Sequence, residues 1–179
     1  MTSLTTVKEF RETLQISSAV LRDEVIQEEL ERANRIMISK VGKYQIDNFV
    51  VSSTDSDTLK LKFNDVISVD AIYRNLSLLD STSYELNQET GDVDFTGITF
   101  AVGDRIKVYY VPRIQQDLER LYAEYFLLIH RNIEQDAKVR TAKIDSIKEL
   151  IISTINAING RMDIVGTLDH RIDINKTYH

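Results

Sequence analysis

The 179-residue chain contains no cysteine and no tryptophan, a single proline at position 112, and six glycines, none adjacent to another. Without thiols there is no disulfide framework, no zinc-thiolate or iron-sulfur site and no cysteine nucleophile. The isolated glycines form neither a Gly-x-Gly-x-x-Gly turn nor a P-loop, and no Gly-x-Ser-x-Gly elbow occurs, so the usual nucleotide and hydrolase signatures are missing. So little proline and glycine leaves little room for linkers, and no repeat or low-complexity tract is visible. No apolar run approaches the roughly 20 residues that span a bilayer, and Met1-Thr2-Ser3-Leu4 has neither the basic nor the apolar region of a secretory signal. We expect no membrane association and no cofactor. The organisation expected is one α+β domain, 1-160, large enough for a core without staples, and an extended tail, 161-179.

What is present is acidic. The formal net charge is -6, and the imbalance lies in residues 1-111, with 12 Lys and Arg against 18 Asp and Glu; residues 112-179 hold ten of each. Such a chain lacks the clustered cations that release counterions from phosphates, so tight binding of duplex DNA is not expected. His130, His170 and His179 show no metal-ligand spacing. Asp55-Ser56-Asp57 opens like a calcium loop but lacks the later glycine and glutamate, and reads as a polar turn. Glu24, Glu28, Glu29 and Glu31 fall on one predicted helix beside arginines, where nothing buries them to separate their pKa values; they read as a solvated face and not as an acid-base pair. Lys60, Lys62 and Tyr109-Tyr110 could suggest a stacking and phosphate surface, but acidic Asp92, Asp94 and Asp104 surround them, and the tyrosines read as core or subunit interface. No residue is singled out as catalytic or metal-binding.

Periodicity sets the elements. Thr6 and Glu9 have capping-box spacing ahead of a short helix, Val7 to about Leu14. Ser17 or Ser18 is expected to cap a longer one in which Leu21, Val25, Leu30, Ala33, Met37 and Val41 recur before Gly42, with Glu28/Arg32 and Glu31/Arg35 as i,i+4 pairs on the opposite face. Between Ile46 and Tyr110 the period falls toward two, predicting five or six short strands. The clearest alternations are Tyr84/Leu86, Val93/Phe95 and Ile106/Val108/Tyr110, separated by Gly91 and Gly103 and read as an antiparallel meander. Pro112 fits the first position of a helix carrying Ile114, Leu118, Leu121, Tyr122, Tyr125, Phe126 and Ile129, onto which Phe95 and Val108 are expected to pack. A last helix is expected through Ile144, Ile147, Ile151, Ile155 and Ile158 to Asn159-Gly160. In the tail only Arg171-Ile172-Asp173-Ile174-Asn175 alternates, and the segment is expected to stay mobile until a partner fixes it.

This order of parts resembles the head-tail connector (adaptor, or head completion) proteins of tailed bacteriophages. The likeness is carried by Val7-Lys8-Glu9-Phe10, Leu14, Leu21 to Ala33, Ile36 to Gly42, Val66-Ile67-Ser68-Val69, Tyr84-Glu85-Leu86-Asn87, Gly91-Asp92-Val93-Asp94-Phe95, Gly103-Asp104-Arg105-Ile106-Lys107-Val108-Tyr109-Tyr110 and the proline-led helix. It departs from the family where Val111-Pro112 enters the helix without a loop and where Gln135 to His179 extends past the common core. The resemblance implies a non-enzymatic virion protein of the neck, assembled in the host cytoplasm as a homo-oligomeric ring of about twelve copies. The ring would sit on the portal protein, pass duplex DNA without holding it, and offer a platform to the downstream stopper or tail protein. It makes Arg171, Ile172, Asp173, Ile174 and Asn175 the candidate portal-binding strand, and Glu24, Glu28, Glu29 and Glu31 a candidate channel lining or subunit interface. The alternative is a small protein-binding module.

Overall fold

A computed structural model describes residues 3-17, 20-52, 57-131, 133, 136-163 and 174-176. Its contacts divide the chain into two compact units, Met1–Lys43 with Ile114–Met162, and Tyr44–Arg113 with Asp163–His179. The class is α+β, with helices at both ends of the sequence and antiparallel sheets between.

The first unit is helical. Helix α1 (Val7–Leu14) begins at the expected capping box: Glu9 N donates to Thr6 Oγ1 at 3.2 Å and Thr6 N to Glu9 Oε2 at 2.8 Å, so two otherwise orphaned donors are satisfied. Helix α2 (Asp23–Val41) starts later than the serines predicted, with Arg22 at its cap and no side-chain cap bond. Asp23 and Glu24 instead place negative charge in the first turn, against the positive end of the helix dipole. Arg11 ties the two helices together, its Nε donating to Asp23 Oδ1 at 2.8 Å and its Nη2 to the carbonyl of Leu21. Gly42 ends α2 as expected, donating to Ile38 O at 2.9 Å.

Helix α3 (Arg113–His130) starts one residue after Pro112, which is the last residue of a strand and not the first of the helix. Its predicted stripe is buried only at Leu118 and Phe126; Ala123, Leu127 and Leu128 complete the inward face, and Ile129 is exposed. Helix α4 (Ala137–Asp163) is helical throughout its isoleucine-rich stretch. Asp136 Oδ1 accepts from Lys138 N and Val139 N at its start, and the helix runs through Gly160 to Asp163. An isolated glycine costs a helix only about 1 kcal/mol, too little to stop one already packed. Two apolar clusters result: Phe10, Ile26, Leu30, Ala33, Ala123, Phe126 and Leu127, and Met37, Val41, Leu118, Leu128, Ile147, Ile151 and Ile158.

Among the described residues the second unit holds eight strands: β1 (Gln45–Val51), β2 (Thr58–Lys60), β3 (Val66–Arg74), β4 (Ser77–Leu78), β5 (Tyr84–Asn87), β6 (Asp92–Phe95), β7 (Arg105–Pro112) and β8 (Ile174–Lys176). They form an antiparallel sheet in the order β4-β3-β7-β1-β8 and a second one in the order β2-β6-β5. The predicted meander is therefore divided: β5 and β6 make a hairpin, while β7 leaves it to lie between β3 and β1. Alternation sorts the faces of β7, with Ile106, Val108 and Tyr110 buried and Arg105, Lys107 and Tyr109 on the other side. The buried face of β1 is half polar, Gln45 and Asp47 preceding Phe49 and Val51. Phe95 is buried as predicted; its ring partners are Phe100 at 4.9 Å and Tyr84 at 6.5 Å.

Two of the turns with left-handed backbone in this unit have opposite consequences. Asn75 and Leu76, with φ of 49° and 72°, form the two-residue turn between Arg74 and Ser77, where glycine is the favoured second residue. Gly91, φ 71°, lies so close to the carbonyl of Phe63 that a β-carbon would overlap it. Leu76→Gly should raise stability by about 0.5 kcal/mol, since relief of a left-handed non-glycine outweighs the added chain entropy, whereas Gly91→Ala should lower it by about 3 kcal/mol. Urea melts of the two variants test the opposite signs; shifts in one direction would show that backbone handedness does not set either cost.

Candidate functional site

The acidic face of α2 is not the uniform solvated surface expected. Glu24 and Glu28 are exposed and Glu31 is half-buried, accepting from Gln27 Nε2 at 2.9 Å, but Glu29 is only 1% exposed. It follows Ile26 by three residues and precedes Ala33 by four, so the helical phase turns it inward. Its carboxylate is held by Arg32 Nη1 at 3.1 Å and Arg131 Nε at 3.6 Å, and His130 Nδ1 lies 3.7 Å away. These contacts replace the predicted i,i+4 pairs: Arg32 turns to Glu29, and Glu28 meets Arg131 at 3.0 Å. His130 is thereby fixed, stacked on Phe126 at 5.6 Å with Nδ1 2.9 Å from Arg32 Nη1, a contact in which only the ring nitrogen can accept. His170 and His179 lie outside the described residues, as do Asp55 and Ser56.

Of the predicted portal-binding strand, Arg171, Ile172 and Asp173 lie outside the described residues. Ile174 and Asn175 belong to β8, which pairs antiparallel with the edge of β1 in the register Val51 to Ile174, Val50 to Asn175 and Phe49 to Lys176. Among the described residues no three His, Cys, Asp or Glu side chains gather as metal ligands, and no helix is long and apolar enough to cross a membrane. Lys60 Nζ lies 3.3 Å from Asp92 Oδ1. It serves the β2-β6 ladder and not a phosphate surface.

Besides Glu29, the buried carboxylates among the described residues are Glu119, Asp47, Asp92 and Asp104, none of them expected inside from the sequence. Glu119 of α3 is fully buried and accepts from Leu4 N at 2.9 Å, Thr5 N at 2.8 Å and Asn34 Nδ2, while Gln116 Nε2 donates to Leu4 O at 2.8 Å and Gln115 Nε2 to Gly42 O at 3.1 Å. Burial pushes the Glu119 carboxyl above its ordinary range, against the opposing pull of those donors. Asp47 Oδ2 accepts from Lys62 N at 2.7 Å and Tyr110 Oη at 3.1 Å. Asp104 accepts from Ala101 N at 2.8 Å, Arg74 Nε at 2.7 Å and Asn75 Nδ2 at 2.6 Å. Burial alone would raise its pKa, but these donors and the Arg74 charge together hold it below the usual carboxylate range. A polar residue beside an apolar stripe carries no mark of burial, so no sequence signal distinguishes them.

The outer face of the five-stranded sheet carries a cavity of about 640 Å³, lined by Asn48, Val50, Tyr73, Asn75, Leu76, Arg105, Lys107 and Tyr109 together with Phe49 and Ile106. Tyr109 is its centre, edge-on to Tyr73 at 5.8 Å and to Tyr44 at 6.4 Å, with Lys107 Nζ 5.1 Å from its ring centroid. Tyr110 points the other way and is buried. Leu76, 94% exposed, stands at the rim. No carboxylate is among the described lining residues, and these combine aromatic area with two cations in an acidic chain. No family model matches this sequence, and no curated protein matches it.

The Glu119 contacts make a pH prediction. A folded carboxyl whose pKa is raised binds its proton to higher pH than the unfolded chain, so it lowers stability as pH rises above the ordinary value of 4.5. Glu119→Gln should therefore flatten the fall of Tm across that interval. Glu119→Ala should lose at least about 3 kcal/mol at every pH by leaving the Leu4 and Thr5 amides without an acceptor. Melting curves from acid to neutral pH check both, and an unchanged slope in the glutamine variant would refute the assignment.

Proposed function

We propose that this chain is a structural subunit of an adaptor ring between the portal and the tail of a tailed bacteriophage, non-enzymatic, continuing the DNA channel and presenting a platform to the next neck component. The observation that carries the reading is the order of elements over the part of the chain that bears the motifs: two helices, a strand-rich unit of antiparallel sheets, and the helix α3 that follows it. That order follows the connector-like motifs of the sequence. In this reading the chain lies in the virion neck after assembly in the host cytoplasm, in a ring of about twelve copies, contacting portal on one side and the stopper or tail protein on the other. The C-terminal strand is its portal-binding element, since pairing along an edge through main-chain hydrogen bonds is how an extended segment docks on a sheet.

A second reading, a small module that captures one peptide strand, is favoured by the β1 edge, because β8 occupies it in the manner of an added strand. Stoichiometry separates the two. Mixed with its portal, the protein should give a particle heavier by many subunits in light scattering, where a module would add one per binding peptide. Because α4 continues to Asp163, truncation should begin at residue 164. The shortened chain should keep its Tm within a few degrees, losing a strand of three residues, and should no longer assemble on portal. Undiminished occupancy would place the anchor elsewhere.

A subunit that lets DNA slide must not hold it. The acidic balance of residues 1-111 supplies no cluster of cations able to release counterions from a duplex. Anisotropy with a labelled duplex should show no measurable affinity at physiological salt; micromolar binding that weakens steeply with added salt would overturn the sliding-channel role.

A further inference from the structure

From Ser77 to Asp104 the chain has six carboxylates and no lysine or arginine. Asp92 is met by Lys60 and Asp104 by Arg74. In the β5-β6 ladder, however, Glu85 lies directly opposite Asp94, both exposed and neither in an ion pair among the described residues. Like charges at directly opposed positions destabilise a sheet. The sequence keeps this pair on β5, an edge strand, and its neighbour β6. On the other sheet, Arg105 and Lys107 show the complementary imbalance. They stand two residues apart on the outer face of β7, about 7 Å along the strand, and their ladder partners are the neutral Val50, Asn48 and Tyr73. Neither forms an ion pair among the described residues.

The geometry points to a head-to-tail contact between copies of this chain, in which the Glu85/Asp94 pair of one copy seats on the Arg105/Lys107 face of the next. This inference rests on the ring reading and names the surfaces that would close it. The two patches lie on different strands of different sheets; set head to tail they make a heterologous contact, and repetition of a heterologous contact generates a ring where the rotation closes. Cross-strand carboxylates about 5 Å apart and two cations on one strand have similar spans. Tyr73 and Tyr109 give the contact an apolar floor, and Leu76, held out at the rim by its left-handed turn, gives it an edge. Aromatic area with arginine is the composition that dominates interface energy.

The test uses the full chain and reads mass by analytical ultracentrifugation. Wild type should self-associate, and added salt should reduce its average mass because the contact is electrostatic. Arg105→Glu with Lys107→Glu, and separately Glu85→Lys with Asp94→Lys, should each give monomers. Their equimolar mixture should recover assembly, since each variant then offers the charge that the other needs at both contacts. Glu85→Gln alone should raise Tm by relieving the repulsion while weakening association, which separates the contact from a folding defect. Wild type that stays monomeric, variants that assemble alone, or a mixture that stays monomeric would each overturn the contact. Micrographs with portal keep the two ideas apart: portal-bound rings formed by the reversed variants would overturn this contact and leave the adaptor reading standing, while wild type that self-associates but ignores portal would do the converse.

Discussion

Irregular backbone that passes through the interior must find hydrogen-bond acceptors there, and in both units a carboxylate supplies them. Glu119 takes the amides of Leu4 and Thr5 and so fixes the N-terminal segment ahead of α1, with Asn34 bringing in α2. Asp47 takes the amide of Lys62 beyond β2 and the hydroxyl of Tyr110. Asp104 gathers the Ala101 amide with the side chains of Arg74 and Asn75 beside the β3-β4 turn. An unpaired buried amide costs about 1 to 3 kcal/mol, so each carboxylate determines whether its connecting segment can stay inside. Apolar clusters supply most of the driving force; these acceptors decide the path the chain takes through them.

Local signals were legible where they were self-contained. The Thr6/Glu9 box gave α1, the isoleucine period gave α4, and alternation gave β7 and the β5-β6 hairpin. What failed was non-local. Residues 84 to 110 alternate in the same way whether β7 follows β6 in one sheet or departs for another, because pairing with β1 and β3 is settled by which buried faces meet. Glu29 shows the same limit within a helix: its neighbours Glu28 and Glu31 are acidic as it is, and Arg32 of α2 with Arg131 just past α3 accounts for its inward carboxylate. Gly160 and Pro112 were read by their usual positions, and packing overrode the first while the strand β7 claimed the second.

The candidate surfaces divide along the same line. Alternation at Ile172 and Ile174 was visible, and Ile174 and Asn175 do lie in a strand. Tyr109 and Tyr110 were read as core or interface, and the pleat sends one each way. The Glu85 and Asp94 opposition could not be read in advance, since it exists only once β5 and β6 are in register. Its counterpart on β7 needed the identity of the neighbouring strands before Arg105 and Lys107 could be seen to lack countercharge.

The helical unit is interrupted in sequence, its two parts separated by residues 44-113, and the Glu119 clamp spans 114 and 115 positions to Thr5 and Leu4. On a ribosome the N-terminal helices therefore emerge long before the carboxylate that will hold them, while β1 to β7 can find one another as soon as residue 112 is out. Closing so long a loop is slow compared with local pairing. The strand-rich unit should be the first to become resistant to protease on the nascent chain, with the N-terminus left free until α3 has cleared the exit tunnel.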